Sequence, residues 1–376
     1  MIYHTPQLGS EISIIEDVEN IRARLRHALS TPNRWAGVLR RNTFARAIQG
    51  SNSIEGFNVT TEDAMAAIES ETPLDTTEDT WHEITGYRDA MTYVLQLATD
   101  PHFKYSDALI KSLHFMMLKH DLKKHPGTWR PGSIYIRDER RGITVYEGPP
   151  VDAVPDLVAT LMDSLNEVST APTMVRAAMA HFNLVMIHPF SDGNGRMARV
   201  LQTLVLAREG ILDPRFSSIE EYLGRNTREY YDILAQVGGG AWTPGNDARA
   251  WVQFCLIAHF NQATTLLRRT RETERVWNEL EALVEQRRLP ARAIFALSDA
   301  TFGYRVRNSS YRTAADINDT LASRDLKQLV DSGLLISTGD KRGRIYTGSE
   351  TLKAIRERNR EPRALYKDPM PGNMFP

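Results

Sequence analysis

His188-Pro189-Phe190-Ser191-Asp192-Gly193-Asn194-Gly195-Arg196-Met197-Ala198-Arg199 is the stretch around which the rest of the chain is organised. Upstream, Val175, Met179, Phe182 and Met186 recur at helical spacing through Thr173–Ile187, so His188 follows a helix end. Downstream, Val200, Leu201, Leu204, Val205 and Leu206 carry an apolar face toward Gly210, so a second helix opens near Asn194. The loop between them delivers an imidazole, a carboxylate, two glycines and an amide to a helix N-terminus.

Unpaired backbone N–H groups and the helix dipole make such an end a site for anions. Gly193 and Gly195 remove the side chains that would hold a phosphate away from the backbone. Arg196 and Arg199, three residues apart, share a face of the first turn and oppose the dipole there, so together they ask for an anion. Asp192 among these groups would repel a bare phosphate, and a bridging Mg²⁺ reconciles the two. His188 is then the group able to remove a proton near neutral pH.

The stretch resembles the signature of the Fic (filamentation induced by cyclic AMP) family, H-x-F-x-(D/E)-G-N-G-R-x-x-R, and matches it at every specified position. The resemblance implies transfer of AMP from ATP to a hydroxyl side chain of a target protein. In that reading His188 is the base and Asp192 holds Mg²⁺. Gly193, Asn194, Gly195 and Arg196 cradle the α- and β-phosphates, Arg199 meets the γ-phosphate, and Phe190 anchors the loop to the core.

Ser51-Asn52-Ser53-Ile54-Glu55-Gly56 ends a helix predicted from Trp35 to Gln49, and Thr60-Thr61-Glu62-Asp63 then reads as a capping box opening the next helix. Ser51, Glu55 and Gly56 also fill the family's inhibitory motif, (S/T)-x-x-x-E-(G/N), here N-terminal to the catalytic core. The implied helix, residues 40–56, would offer Glu55 to Arg199 in competition with the γ-phosphate.

Ile134-Tyr135-Ile136 and Ile143-Thr144-Val145-Tyr146 flank Asp138-Glu139-Arg140-Arg141-Gly142 as a β-hairpin on an otherwise helical pattern. Relatives place such a flap over the active site, where a target segment docks along residues 134–146 as an added strand. The resemblance also sets Ile134, Tyr230 and Tyr231 near the nucleotide base. His181, seven residues before His188, lacks metal-ligand spacing and reads as structural.

From Arg271 onward, helices over Val276–Glu285, Ala291–Leu297, Tyr311–Asn318 and Leu321–Ser332 precede short strands at Leu334–Thr338 and Arg344–Thr347, an order resembling a winged helix. Residues 287–376 hold 17 Lys and Arg against 10 Asp and Glu, a surplus of seven positive charges. DNA binding through residues 311–347 (Ser323, Arg324 and Lys327 on the helix; Lys341, Arg342 and Arg344 on the wing) ranks below target docking or dimerisation, because Asp316, Asp319, Asp325 and Asp331 dilute the face.

The expected fold is therefore mainly α: an N-terminal helical region over 1–100, a Fic-type core over 101–270 with its flap, a winged-helix-like domain over 271–357 and a loose tail over 358–376. The net charge of −1 over 376 residues points to neither nucleic acid nor membrane as a global partner. The lone Cys255 excludes an internal disulfide, and no signal peptide or membrane-length apolar run is visible, so the expected compartment is cytoplasmic. The activity expected is self-inhibited protein adenylylation with Mg-ATP, self-modification included, with a homodimer left open. AMP removal with Glu55 orienting a water, transfer of another nucleotide, and a nucleotide-sensing DNA-binding regulator are the alternatives.

Overall fold

The computed structural model describes residues 1–30, 34–138, 143–208, 210, 214–340 and 343–362. The predicted hairpin turn at 139–142, Lys341 and Arg342 of the predicted wing, and residues 363–376 of the predicted tail lie outside them. The described chain is mainly helical. In order it runs α1 (Glu11–Ser30), α2 (Arg34–Ile54), α3 (Thr61–Ile68), α4 (Glu78–Leu97) and α5 (Asp107–Leu118), then the hairpin β1 (Tyr135–Asp138) and β2 (Ile143–Glu147). Next come α6 (Val154–Asn166), α7 (Thr173–Ile187), α8 (Asn194–Ala207), the short α9 (Pro214–Ser217) and α10 (Glu220–Arg225), α11 (Thr227–Gly238) and α12 (Arg249–Gln286). The C-terminal part consists of α13 (Ile294–Thr301), α14 (Asn308–Ala315), α15 (Asp319–Asp331), a second hairpin β3 (Leu335–Thr338) and β4 (Ile345–Gly348), and α16 (Glu350–Asn359).

Local chemistry sets several of these ends. Thr60 caps α3 by accepting from Asp63 N at 3.0 Å, as the capping-box pattern requires. α4 begins five residues before the predicted Glu83, because Thr77 caps it. The extra turn and a half places Glu83 inside a rigid helix instead of at its frayed start.

The expected boundary at 270–271 falls within α12, which continues unbroken for 38 residues. The polar run Arg268–Arg275 looks like a linker in sequence, yet it has no glycine or proline. Arg269 instead forms a two-pronged ion pair with Glu221 at 2.6 and 2.7 Å, and Arg268 pairs with Glu272 one turn on at 2.6 Å.

Two apolar cores result, and three helices, α1, α2 and α12, contribute to both. The larger is built on α7 and α8, with Phe182, Ile187, Phe190, Leu201 and Trp251 buried in it. The smaller holds Trp277, Leu297, Tyr311, Leu326 and Leu352. α2 contributes Trp35 and Leu39 to the smaller core and Phe44 and Ile48 to the larger. α12 likewise begins in one and ends in the other.

Candidate active site

His188 ends α7 in the left-handed region at φ 51°, its N–H still bonded to Leu184 O at 3.0 Å. The reversal turns the imidazole out of the helix. Its Nδ1 lies 3.1 Å from Val185 O, a contact that only a protonated Nδ1 can make, so the lone pair sits on Nε2. Desolvation pushes the pKa down to about 4, and the Arg130 charge works in the same direction against the Val185 bond. The ring is thus neutral at neutral pH, with the Nε2 lone pair able to accept a proton.

Several side chains fix the loop that follows. The Asn194 amide closes it on Phe190, accepting from Phe190 N at 2.9 Å and donating to Phe190 O at 2.8 Å. Asn194 therefore shapes the turn with its side chain and leaves its backbone N–H at the helix end. Phe190 is fully buried and stacks on His114 at 3.7 Å. His114 bonds Asp192 O at 3.0 Å and accepts from Gly127 N at 2.8 Å. Gly193, at φ 76°, is the N-cap of α8. Arg130 adds a clamp from outside: its guanidinium donates to the carbonyls of His188, Gly132 and Pro149 at 3.0, 2.5 and 2.5 Å. His114 and Arg130 lie outside the signature, and no local pattern marks them.

Both arginines of the first turn are 1% exposed, and each meets a carboxylate from another element. Arg196 pairs with Glu83 of α4 and lies 5.3 Å from the Phe57 ring. Lys124 reaches both Glu83 Oε1 and Asp192 Oδ2 at 2.8 Å. Burial raises the Asp192 pKa, but the Lys124 contact, the Arg196 charge and the Gly193 N–H together outweigh it and hold the group below the usual carboxylate range. Lys124, which the sequence reading did not single out, also compensates Asp192. Asp192 stays 44% exposed at the side chain and ionised, and one such carboxylate suits Mg²⁺, which takes its other ligands from phosphate and water.

Arg199 is held by the end of α2. Its Nε donates to Ser51 Oγ at 2.7 Å, and its Nη2 to Ser51 O at 3.0 Å and Glu55 Oε1 at 2.6 Å. Gly56 follows at φ 86°, the conformation that turns the chain away after Glu55. A Cβ on Gly195 would lie 2.5 Å from Glu55 Oε1, so the glycine admits the carboxylate to the α8 N-terminus. α2 is seated by a glycine crossing with α10, where a Cβ on Gly50 would lie 2.4 Å from Glu220 O and one on Gly224 2.6 Å from Gly50 Cα.

The flap rises beside the loop. Tyr146 of β2 donates to Met186 O at 2.6 Å, and Glu147 bonds Gly240 O and Trp242 N at 2.9 and 3.1 Å. β2 is thereby tied down, and β1 carries the open edge. Ile134 is half-buried at the flap base, its carbonyl accepting from Gly148 N at 3.2 Å. The two tyrosines part: Tyr231 is 46% exposed, whereas Tyr230 is buried and its hydroxyl bonds His181 Nε2 at 3.0 Å. His181 also meets Gln202 Oε1 at 2.5 Å within the core, which makes it structural. Cys255 is a buried free thiol.

A helix–loop–helix that sets a neutral histidine beside a glycine-lined helix N-terminus, under a small flap, defines a Fic-type domain. Residues 104–206 match the family model described as Fic/DOC family, and the chain carries a domain of that family. Two relatives bear the name Protein adenylyltransferase Fic. The one from Nematostella vectensis is 26% identical over 221 residues, 57% of this chain and 46% of that protein. The one from Drosophila willistoni is 34% identical over 239 residues, 61% of this chain and 43% of that protein. The chain thus spans less than half the length of these relatives. A solved Fic family protein from Desulfovibrio desulfuricans G20 shares the fold, with a TM-score of 0.59 at 22% identity over 93% of this chain and 99% of that one. No helix among the described residues is long and apolar enough to cross a membrane.

Proposed function

We propose that the chain is a self-inhibited protein adenylyltransferase that moves AMP from Mg-ATP to a Ser, Thr or Tyr hydroxyl of a target protein. The observation that carries the reading is a His188 whose Nε2 has no hydrogen bond among the described residues, in one site with an α8 N-terminus whose Arg199 is bound by Glu55. In the transfer step the hydroxyl oxygen attacks the α-phosphorus and His188 Nε2 takes its proton. The bond from the α-phosphorus to the bridging oxygen breaks, and pyrophosphate leaves. The N–H groups of the α8 first turn, Arg196 and Arg199 stabilise the charge on the phosphates. Mg²⁺ held by Asp192 would supply further neutralisation of that charge. Label entering protein from the α-phosphate of ATP, with none from the γ-phosphate, tests the reaction; label from the γ-phosphate contradicts it.

The open edge of β1 is the docking site for the target segment, since β2 pairs with β1 on one side and is bridged to Ala241 at Glu147 on the other. Tyr231 and Ile134 fit the base pocket better than the buried Tyr230. One observation favours a second reading, AMP removal: Glu55 binds Arg199 through Oε1, and its other oxygen has no hydrogen bond among the described residues. That oxygen would orient a water against a modified hydroxyl. In the C-terminal region α13, α14 and α15 precede the hairpin β3–β4, with Val306 bridging Tyr346 beside it, an order we read as winged-helix-like. Its cations serve internal contacts: Arg305 pairs with Glu62, Arg307 with Glu71 and Arg292 with Asp325.

A further inference from the structure

A cavity of about 710 Å³ lies between α2, α12 and the C-terminal hairpin and helix, on the side of α2 away from the candidate active site. Its walls have an unusual charge balance: seven lining side chains are Lys or Arg and two are Glu. Two further carboxylates, Glu221 and Glu350, pair with lining cations from just outside. Counting all four acids still leaves a surplus of three positive charges facing one open cleft. Two of the guanidinium groups are held loosely: Arg46 bonds Tyr304 Oη at 2.9 Å and lies 4.0 Å from Glu221, and Arg360 reaches Glu357 at only 3.5 Å. Val276 and Phe302 complete the wall with apolar surface.

Guanidinium forks over an apolar floor recognise phosphate esters carrying an organic group, and the volume falls in the range of sites that bury small molecules. We propose that this cavity binds a phosphorylated small molecule of nucleotide size, and that its occupancy reaches the active site through α2. The geometry of α2 supports the second half. Asn42, Thr43 and Arg46 line the cavity, while Ser51 and Glu55 at the end of the same helix hold Arg199. Arg46 and Ser51 are about 7.5 Å apart along the helix axis, so one rigid rod touches both sites. The link to regulation rests on the reading of Glu55 as a brake, whereas the binding site itself does not.

The test titrates the full chain with a fluorescent ADP analogue and with inorganic pyrophosphate. Two variants separate the sites: Lys353→Glu/Arg360→Glu reverses exposed charges at the cavity, and Gly195→Ala crowds the α8 N-terminus. Binding that persists in Gly195→Ala and weakens at least about tenfold in the charge-reversed protein is expected, the scale of one lost charge-assisted contact. Binding abolished by Gly195→Ala and untouched by the charge reversal overturns the site. Pyrophosphate should compete with the analogue and adenosine should not; the opposite result overturns phosphate recognition. Amide exchange over residues 40–56, read in Gly195→Ala, should change on binding. Unchanged exchange at saturation overturns the link to α2, and because it needs no turnover it does so independently of the proposed transfer reaction.

Discussion

Glu55 Oε1 lies 2.6 Å from Arg199 Nη2, joining residues 144 apart in sequence directly above the first turn of α8. In the proposed reading the carboxylate takes the place of a ligand anion, and a phosphate gains Arg199 only when Glu55 releases it.

Glu55→Gly should therefore raise nucleotide affinity by about tenfold or more, the scale of one charged hydrogen bond. Without ligand the same change leaves Arg199 buried with Ser51 alone and should lower stability by about 2 kcal/mol, discounted because Glu55 is itself 26% exposed at the side chain. Thermal melts with and without ATP check both: the variant should melt lower when empty and rise further with ATP than wild type. Equal shifts in the two proteins would remove Glu55 from the site.

The histidines predict a pH response. His114, His181 and His188 all have pKa values lowered from 6.5, to about 4, 3 and 4, chiefly by desolvation. Below pH 6.5 the unfolded chain takes up protons that the folded chain refuses, so stability falls as pH drops from 6.5 toward 4. Denaturant titrations across that window should show the decline. The acid limb of kcat/KM should likewise lie well below 6.5, and a limb centred near 6.5 would mean that the His188 ring is not held neutral.

Gly195→Ala distinguishes crowding from simple loss of the brake. The added methyl would meet Glu55 Oε1 at 2.5 Å and Arg199 Nη1 at 3.3 Å. It should push Glu55 away yet keep phosphates from the backbone, so the active site should lose affinity about tenfold without being activated. Activation like that of Glu55→Gly would show that phosphates do not approach Gly195.

Arg130→Met keeps the bulk and removes three donors to the carbonyls of His188, Gly132 and Pro149. A loss of about 3 kcal/mol in denaturant unfolding is expected, with faster amide exchange along residues 134–147. Unaltered exchange in the flap would show that Arg130 does not anchor it.

Much of this site is legible in sequence because its chemistry is local. A helix end, two glycines, an acid and a base within twelve residues read as one unit, and a six-residue motif supplies the Ser51 and Glu55 that meet Arg199. What could not be read is what arrives from elsewhere. Glu83, Lys124 and His114 carry no spacing relation to the loop, yet Glu83 pairs with Arg196, Lys124 bridges Glu83 to Asp192, and His114 supports Phe190. Tyr230 and Tyr231 are neighbours in sequence, and only packing sends one into the core and the other to the surface. The continuity of α12 was hidden for a related reason: its polar middle is stabilised by Glu221, a partner 48 residues from Arg269.

The most direct measurement compares wild type, Glu55→Gly and Glu55→Gly/His188→Ala, each incubated in cell lysate with Mg²⁺ and ATP labelled on the α-phosphate. Protein-bound label in Glu55→Gly alone is the predicted result, because it requires the transfer, the brake and the base together. Label of equal strength in wild type and Glu55→Gly, or its persistence after His188→Ala, would contradict the account.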